Sequence, residues 1–218
     1  EHLDEALDRR GVARRAPRDD AAMRRTVAVH EAGHAVFAYV VLGADALNSA
    51  VIARNGRGEG HVALRAEWGE AHALDGRRWR DLAALALAGA AAEELFFGRD
   101  RLTFGSKQDI GEATTLVLQA AESGLLERFG RASVERMERG PDHDSYELRA
   151  SEAMRATLWI AVRDEIEAQE TRAREVLVPH RHAVERLATD LLEAGSLAGA
   201  ALIAAVRGAG VPEGGHDD

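Results

Sequence analysis

The stretch "TVAVHEAGHAVFAYV", residues 26–40, places two histidines and a glutamate inside an otherwise apolar run. His30 and His34 are four residues apart, and Glu31 directly follows the first histidine. Valine and phenylalanine residues surround these three on nearly all sides, which is typical of a buried helix. Because burying an unpaired charge is costly, three ionisable groups on such a helix indicate a compensating partner.

The spacing of the two histidines suits a metal ion. Residues four apart lie on the same face of a helix, with β-carbons about 5–6 Å apart, and two imidazoles so placed can bind one zinc ion at about 2.0–2.1 Å. Glu31 is rotated by about 100° from His30, so its carboxylate can reach a water on the metal without becoming a ligand. The H-E-x-x-H pattern therefore favours a zinc site over a solvated histidine face. Gly33, unfavourable in mid-helix, indicates close approach of a neighbouring backbone.

Composition excludes several classes of protein and site. The chain has 218 residues, no cysteine, and a net charge of −9 from 28 basic and 37 acidic residues. Thiolate metal sites and disulfides are therefore excluded, and binding to nucleic acid is disfavoured because it needs the opposite charge balance. The longest apolar run, residues 82–92, is much shorter than the roughly 20 residues of a membrane-spanning helix.

The chain is predicted to be mainly α, with one small β-hairpin or sheet. Periodicity and breakers predict helices at about 20–42, 78–97, 106–129, 150–177, 180–194 and 196–207, with an irregular segment at 131–148. In residues 49–68, "AVIAR" and "HVALRAEW" flank a glycine-rich turn containing Asn55-Gly56, which predicts a hairpin. Its edge could pair with an extended substrate, or the hairpin could be purely structural.

A catalytic zinc ion takes a third protein ligand, and spacing alone does not identify it. Asp109, in "FGSKQDIGEATTLVLQA", lies near a predicted helix start, but a plain capping box with Ser106 explains it equally well. Glu93 and Glu94 compete for the same role. Either could be a ligand, a partner that orients a histidine, or a helix end meeting solvent.

Three motifs in order, "HEAGHAV", "AGAAAEELFFG" and "FGSKQDIGEAT", resemble the peptidase domain of the FtsH family of AAA zinc metalloproteases. "EHLDEALDR" at the start is similar to the last helix of that family's ATPase lid, and "LLEAGSLAGAALIAAV" to its closing segment. The resemblance implies that His30, His34 and Asp109 bind zinc and that Glu31 is catalytic. Glu93 and Glu94 match an acidic pair with a supporting role. The chain departs from the family around Ala88-Gly89-Ala90 and "FGSKQD", which affects the expected substrate preference and subunit contacts.

The resemblance also implies an activity and a division of the chain. Residues 1–20 would be the end of an ATPase lid helix and a linker, residues 21–211 a zinc metallopeptidase domain, and residues 212–218 a disordered tail. The expected enzyme is a zinc-dependent endopeptidase that degrades unfolded polypeptides as the proteolytic part of an ATP-dependent AAA protease. Its zinc-bound water would attack the peptide carbonyl, with Glu31 as general base.

The expected cofactor is one zinc ion per chain, and ATP would bind only through an ATPase module that is not in this chain. The expected partners are unfolded or membrane polypeptides, an AAA ATPase module in cis or in trans, and further copies in a homo-hexamer, with no nucleic acid. The expected location is cytoplasmic, at the cytoplasmic face of the membrane if the full-length protein carries upstream transmembrane segments.

Two other functions are compatible with the same residues. One is a non-catalytic, zinc-stabilised module that docks on an ATPase ring, which the intact Glu31 disfavours. The other is a self-standing zinc peptidase for short peptides, which activity without ATP would reveal. No G-x-S-x-G elbow occurs, so a serine hydrolase is disfavoured. The remaining histidines, among them His61, His72, His143, His180 and His182, are predicted to be surface residues.

Overall fold

The computed structural model describes residues 18–52, 60–68, 76–130, 137–139, 146–148 and 151–214. Within these residues the helices are α1 (Arg18–Val41), α2 (Arg78–Phe97), α3 (Lys107–Glu122), α4 (Glu152–Leu177), α5 (Arg181–Ala194) and α6 (Gly199–Gly208). The strands are β1 (Leu47–Ile52), β2 (Gly60–Leu64), β3 (Met137–Arg139), β4 (Tyr146–Leu148) and β5 (Ser196–Ala198). The prediction of a mainly α domain with one small sheet is confirmed.

The central helix of the domain is α1, which packs against α2, α5 and β1. Its middle is buried almost all round, as the apolar run predicted. The facing side of α2 is rich in alanine, which lets the two helices approach closely. A β-carbon built on Gly33 would lie 2.9 Å from the carbonyl oxygen of Ala88 and 2.5 Å from the β-carbon of Ala92. The predicted close approach of a backbone at Gly33 is therefore confirmed.

A second apolar cluster joins the first half of α2 to α3 and α4. Its largest buried side chains include Trp79 on α2, Val117 on α3 and Leu158 on α4. The second half of α2 belongs to the cluster around α1. Because α2 takes part in both clusters, it fixes the position of α3 relative to α1, and the candidate site depends on that placement.

A three-stranded antiparallel sheet lies beside α1, in the order β2-β1-β5. Leu47 pairs with Leu64 and Ile52 with Gly60, so the predicted hairpin strands are confirmed. The Asn55-Gly56 turn lies outside the described residues. Among the described strands, β2 is an edge strand of this sheet. One side of β2 pairs with β1, and its other side has no strand partner.

Three details of the predicted elements were wrong. The helix expected to reach residue 129 ends at Glu122, because Gly124 adopts a φ of 71° and Leu125 N–H donates to the Ala120 carbonyl at 2.7 Å, which closes the helix. Residues 196–198, expected to be helical, form β5, since the unpaired edge of β1 offers hydrogen-bonding groups there. The segment expected to be irregular contains β3 and β4, which pair antiparallel.

The predicted division of the chain at residues 20 and 211 stays a prediction. Helix α1 begins at Arg18, two residues before the expected start. Residues 1–17 and 215–218, which hold the predicted lid helix and most of the predicted tail, lie outside the described residues. In the described part of the chain, no helix combines the length and the apolar composition needed to cross a membrane.

Candidate metal centre

The H-E-x-x-H residues lie together in the buried middle of α1. His30, Glu31 and His34 are 8%, 4% and 8% exposed. The helical spacing of four residues brings the two imidazoles side by side, with their Nε2 atoms 3.0 Å apart. Both rings therefore direct the same ring nitrogen toward a common point.

Asp109 reaches that point from the first turn of α3. Its Oδ2 lies 2.9 Å from Nε2 of His30 and 3.6 Å from Nε2 of His34. Ser106 is the N-cap residue of α3, as expected, but its side chain makes no capping hydrogen bond. The capping-box explanation of Asp109 is therefore wrong, and the aspartate is directed at the two histidines.

The Nδ1 atoms of both rings point away from this common place, and each donates a hydrogen bond to an acceptor. Nδ1–H of His30 donates to Oε1 of Glu93 at 2.8 Å, and Nδ1–H of His34 donates to the carbonyl oxygen of Leu85 at 2.8 Å. Because a carbonyl and a carboxylate can only accept, each Nδ1 carries a proton, and Nε2 is the nitrogen of each ring that can bind a metal ion. Glu93 also accepts from the backbone N–H of Thr103 at 3.1 Å, in the segment that leads into α3.

The converging atoms fit a zinc ion better than a shared proton. One proton can be donated to only one of two neighbours, and Oδ2 of Asp109 is buried without a hydrogen bond of acceptable geometry among the described residues. Ligands at zinc distances of about 2.0–2.1 Å in a tetrahedron lie about 3.4 Å apart. The three separations here are 3.0, 2.9 and 3.6 Å. Two imidazole nitrogens and one carboxylate oxygen are also the donor types that zinc takes.

Gly89 on α2 leaves room for this convergence. A β-carbon built there would lie 2.5 Å from Nε2 of His30 and 2.5 Å from Nε2 of His34. Any side chain at this position would therefore push the imidazoles away or fill the space between them.

The electrostatics of the site show an excess of negative charge. Burial alone would lower the pKa of His30, but its contacts with the carboxylates of Asp109 and Glu93 raise that pKa to about 10. Burial would raise the pKa of Asp109, but the two histidines hold it well below its usual range. The raised pKa of His30 means that the surrounding carboxylates favour positive charge at this point, which a divalent cation supplies.

Glu31 differs from the other acids because burial dominates its environment. Burial raises the pKa of Glu31, an effect that His34 and His30 partly offset. Its Oε2 is buried and has no hydrogen-bond partner among the described residues. A carboxylate in this condition accepts a proton more readily than an exposed one.

The site opens into a cavity of about 920 Å³. Its lining includes His30, Glu31, His34, Asp109 and residues of β2, so the prediction that the three polar groups of α1 face a cavity is confirmed. Apolar residues also line the cavity: Met23, Val27, Leu82, Leu85, Leu102 and Leu116. This arrangement can hold a metal ion beside a surface that accepts an apolar side chain.

Comparison with known proteins agrees with this geometry. Residues 18–204 match peptidase family M41. The chain belongs to this family. The predicted relationship to the FtsH family and the prediction of a metalloprotease are thereby confirmed, since proteins named as ATP-dependent zinc metalloproteases FtsH align with most of this M41 chain.

Three relatives show the extent of the similarity. This M41 chain is 36% identical over 203 residues to the ATP-dependent zinc metalloprotease FtsH of Thermus thermophilus, with 88% of this chain and 30% of that protein covered. It is 35% identical over 206 residues to FtsH 2 of Sphaerobacter thermophilus, with 89% and 29% covered. It is 30% identical over 190 residues to YME1L1 of Homo sapiens, with 84% and 22% covered. The chain thus spans about a third or less of the length of these relatives.

The two acids of the supporting pair have different surroundings in this M41 chain. Glu93 is 1% exposed and contacts His30, so it belongs to the centre. Glu94 accepts a hydrogen bond from Arg174 of α4 at 2.9 Å and does not line the cavity. Adjacent helix positions differ by about 100° in direction, which sends the two side chains to different neighbours.

Sequence reasoning missed several contributors to the site. Gly60 and Gly89 bring backbone against functional side chains, and only a glycine at an otherwise unfavourable position hints at such a role. His61, predicted to be a surface residue, is exposed but lines the cavity from β2. His182 is exposed as predicted, whereas His72 and His143 lie outside the described residues.

Proposed function

We propose that this chain is the zinc-dependent endopeptidase domain of an ATP-dependent AAA protease, and that it degrades unfolded polypeptides. The observation that carries the proposal is the convergence of His30 Nε2, His34 Nε2 and Asp109 Oδ2 at separations of 2.9–3.6 Å. The names of the FtsH and YME1L1 relatives support the choice of zinc and the dependence on ATP.

Each residue has a distinct role in this proposal. His30, His34 and Asp109 would hold one zinc ion, which when bound polarises a peptide carbonyl and acidifies a water molecule. Glu31 accepts the proton of the attacking water and passes it to the departing amine. Burial raises the pKa of Glu31, which makes its carboxylate a stronger proton acceptor. Glu93 keeps His30 in the tautomer with its lone pair on Nε2.

The free edge of β2 would hold the substrate. An extended peptide can pair with it through backbone hydrogen bonds, which gives affinity with little sequence choice. Gly60, Val62 and Leu64 of this strand line the cavity beside Glu31. The apolar residues that line the cavity would accept an apolar side chain next to the scissile bond, and such side chains are exposed in unfolded polypeptides.

The larger assembly is also part of the proposal. An ATPase module in cis or in trans would unfold and deliver substrates, and six copies would form a ring. A cytoplasmic active site, tethered to the membrane if the full-length protein has upstream spans, is the corresponding location. These statements rest on the names of the relatives and on the family resemblance.

The decisive experiment measures zinc content and casein cleavage for the wild-type chain, Glu31→Gln and Asp109→Ala. Glu31→Gln should retain zinc and lose nearly all cleavage, because the amide cannot accept the proton. Asp109→Ala should lose zinc, because two imidazoles alone bind it weakly. Asp190→Ala, a change on α5 away from the cavity, is the control and should behave as wild type.

Other outcomes would select other functions. Cleavage by Glu31→Gln would refute the general-base mechanism, and full zinc occupancy in Asp109→Ala would remove Asp109 from the ligand set. Zinc binding without cleavage of any peptide by wild type would favour a non-catalytic module. Cleavage that an added ATPase module does not stimulate would favour a self-standing peptidase.

A further inference from the structure

Gly60, the first residue of β2, lies directly against the side chain of Glu31. A β-carbon built on Gly60 would lie 2.4 Å from Oε1 of Glu31 and 2.8 Å from both its Cδ and its Cγ. Real β-carbons essentially never come within 3.0 Å of such atoms. Any side chain at position 60 must therefore displace either the strand or the glutamate.

The glutamate is the partner that would move. Gly60 pairs with Ile52 of β1. Ile52 is buried in the main core, and β1 is the central strand of the three-stranded sheet. The atoms that a β-carbon would meet all belong to the side chain of Glu31, which can change rotamer, whereas the strand is held by its pairing with β1. A β-carbon at position 60 should therefore leave the fold intact but displace the carboxylate of Glu31.

Contact with β2, more than hydrogen bonding, restrains the glutamate. Oε2 of Glu31 has no hydrogen-bond partner among the described residues, although the side chain is buried. Gly60 itself is exposed, so only its backbone separates Glu31 from solvent on this side. The same strand is the one that would pair with substrate.

We propose that Gly60 is a positioning residue for Glu31: the bare backbone at the start of β2 sets where the catalytic carboxylate lies. This inference rests on the proposed function, in which Glu31 is the general base. It adds that β2, the strand proposed to pair with the peptide, also contacts Glu31, the residue proposed to transfer the proton. Substrate alignment and the position of the base are thereby set together.

The test compares Gly60→Ala with Gly76→Ala, a matched change at a glycine whose built β-carbon would meet nothing within 4 Å. Gly60→Ala should fold, bind zinc and show an unchanged KM for casein. Its kcat should fall about 10- to 100-fold, since misplacing a reacting group by about 1 Å can have an effect of this size. Gly76→Ala should match wild type in all four measurements.

A double-mutant cycle with Glu31→Asp shows whether the contact is direct. Aspartate is one methylene shorter and withdraws the carboxylate from the added β-carbon, so Glu31→Asp should reduce kcat less in Gly60→Ala than in wild type. Additive losses, a wild-type kcat in Gly60→Ala, or loss of zinc or helical content in that variant would each overturn the inference. An inactive, zinc-loaded Glu31→Gln would leave the proposed function standing in those cases, whereas an active Glu31→Gln would overturn both.

Discussion

Replacing Glu93 by glutamine should weaken zinc binding while leaving the fold in place. The Glu93 side chain accepts from Nδ1–H of His30 at 2.8 Å, from the backbone N–H of Thr103 at 3.1 Å and from Oγ1–H of Thr103 at 3.4 Å. Glutamine has the same shape but only one acceptor oxygen and no charge. His30 and Oγ1 of Thr103 share Oε1, whereas the N–H of Thr103 donates to Oε2, so in either orientation of the glutamine amide its NH₂ group faces a donor.

The size of the effect follows from these bonds. A hydrogen bond to a charged group contributes about 1.5–3 kcal/mol and one to a neutral group about 0.5–1.5 kcal/mol, so the bond to His30 should weaken by about 1–1.5 kcal/mol. Loss of charge also makes the imidazole a poorer ligand. Outer partners of metal-binding histidines typically change metal affinity by about 10- to 100-fold. The two estimates agree, because about 1.4 kcal/mol corresponds to a factor of ten.

The assay is competition for zinc against a chromophoric chelator, with Glu94→Gln as the matched control. Glu94 is the next residue of α2, but it pairs with Arg174, a contact that is partly exposed to solvent. Its removal should leave zinc affinity unchanged and alter the free energy of unfolding by about 1 kcal/mol at most. Equal zinc affinities for Glu93→Gln, Glu94→Gln and wild type would refute the role assigned to Glu93.

Three further predictions concern the packing around the centre. Gly89→Ala should lose at least tenfold in zinc affinity without losing helical circular dichroism, because its β-carbon would lie 2.5 Å from Nε2 of His30 and His34; wild-type affinity would contradict this. Gly33→Ala should lower the free energy of unfolding in urea by about 1–3 kcal/mol, because its β-carbon would meet the carbonyl oxygen of Ala88, which cannot rotate away; an unchanged or higher stability would contradict it. Removing zinc with a chelator should speed amide hydrogen exchange in the first turns of α3 more than in α1, because most residues at 107–112 are exposed and Asp109 ties them to the histidines; equal changes in both helices would contradict it.

The part of the site that lies on α1 could be predicted from the sequence because its geometry is local. Helical periodicity alone places His30 and His34 on one face, and the apolar residues around them indicate burial. Gly33 carried a further local signal, since a glycine in mid-helix has a cost that close packing can offset. The structure agrees on all three points.

Asp109 could not be assigned from spacing because its role depends on how α3 is placed against α1. The residue sits where a capping acid is also favourable, so two explanations fit the same letters. Residues Trp79 and Val117 of the second core fix α3 on α2, and α2 in turn packs on α1. No short stretch of sequence shows these successive packing contacts. Only the family resemblance favoured Asp109 in advance.

Glu93 and Glu94 show a second limit of sequence reasoning. The two are adjacent, and the helix turns by about 100° between them. Which one faces His30 depends on which side of α2 packs on α1. Alanine and leucine lie on several sides of α2, so its hydrophobic pattern gives little contrast between faces.

Three glycines show that the centre depends on the lack of a β-carbon at certain positions as much as on its candidate ligands. Gly33 admits the backbone of α2, Gly89 admits the two imidazoles, and Gly60 admits the carboxylate of Glu31. The neighbour that a new β-carbon would meet is a fixed carbonyl oxygen in the first case, a pair of rings held through Nδ1 in the second, and a side chain that can rotate in the third. Because each neighbour gives way differently, one small change, glycine to alanine, should impair stability at Gly33, metal affinity at Gly89 and turnover at Gly60. If all three variants instead lost stability in parallel, the three functions would not be separable in the way that these contacts require.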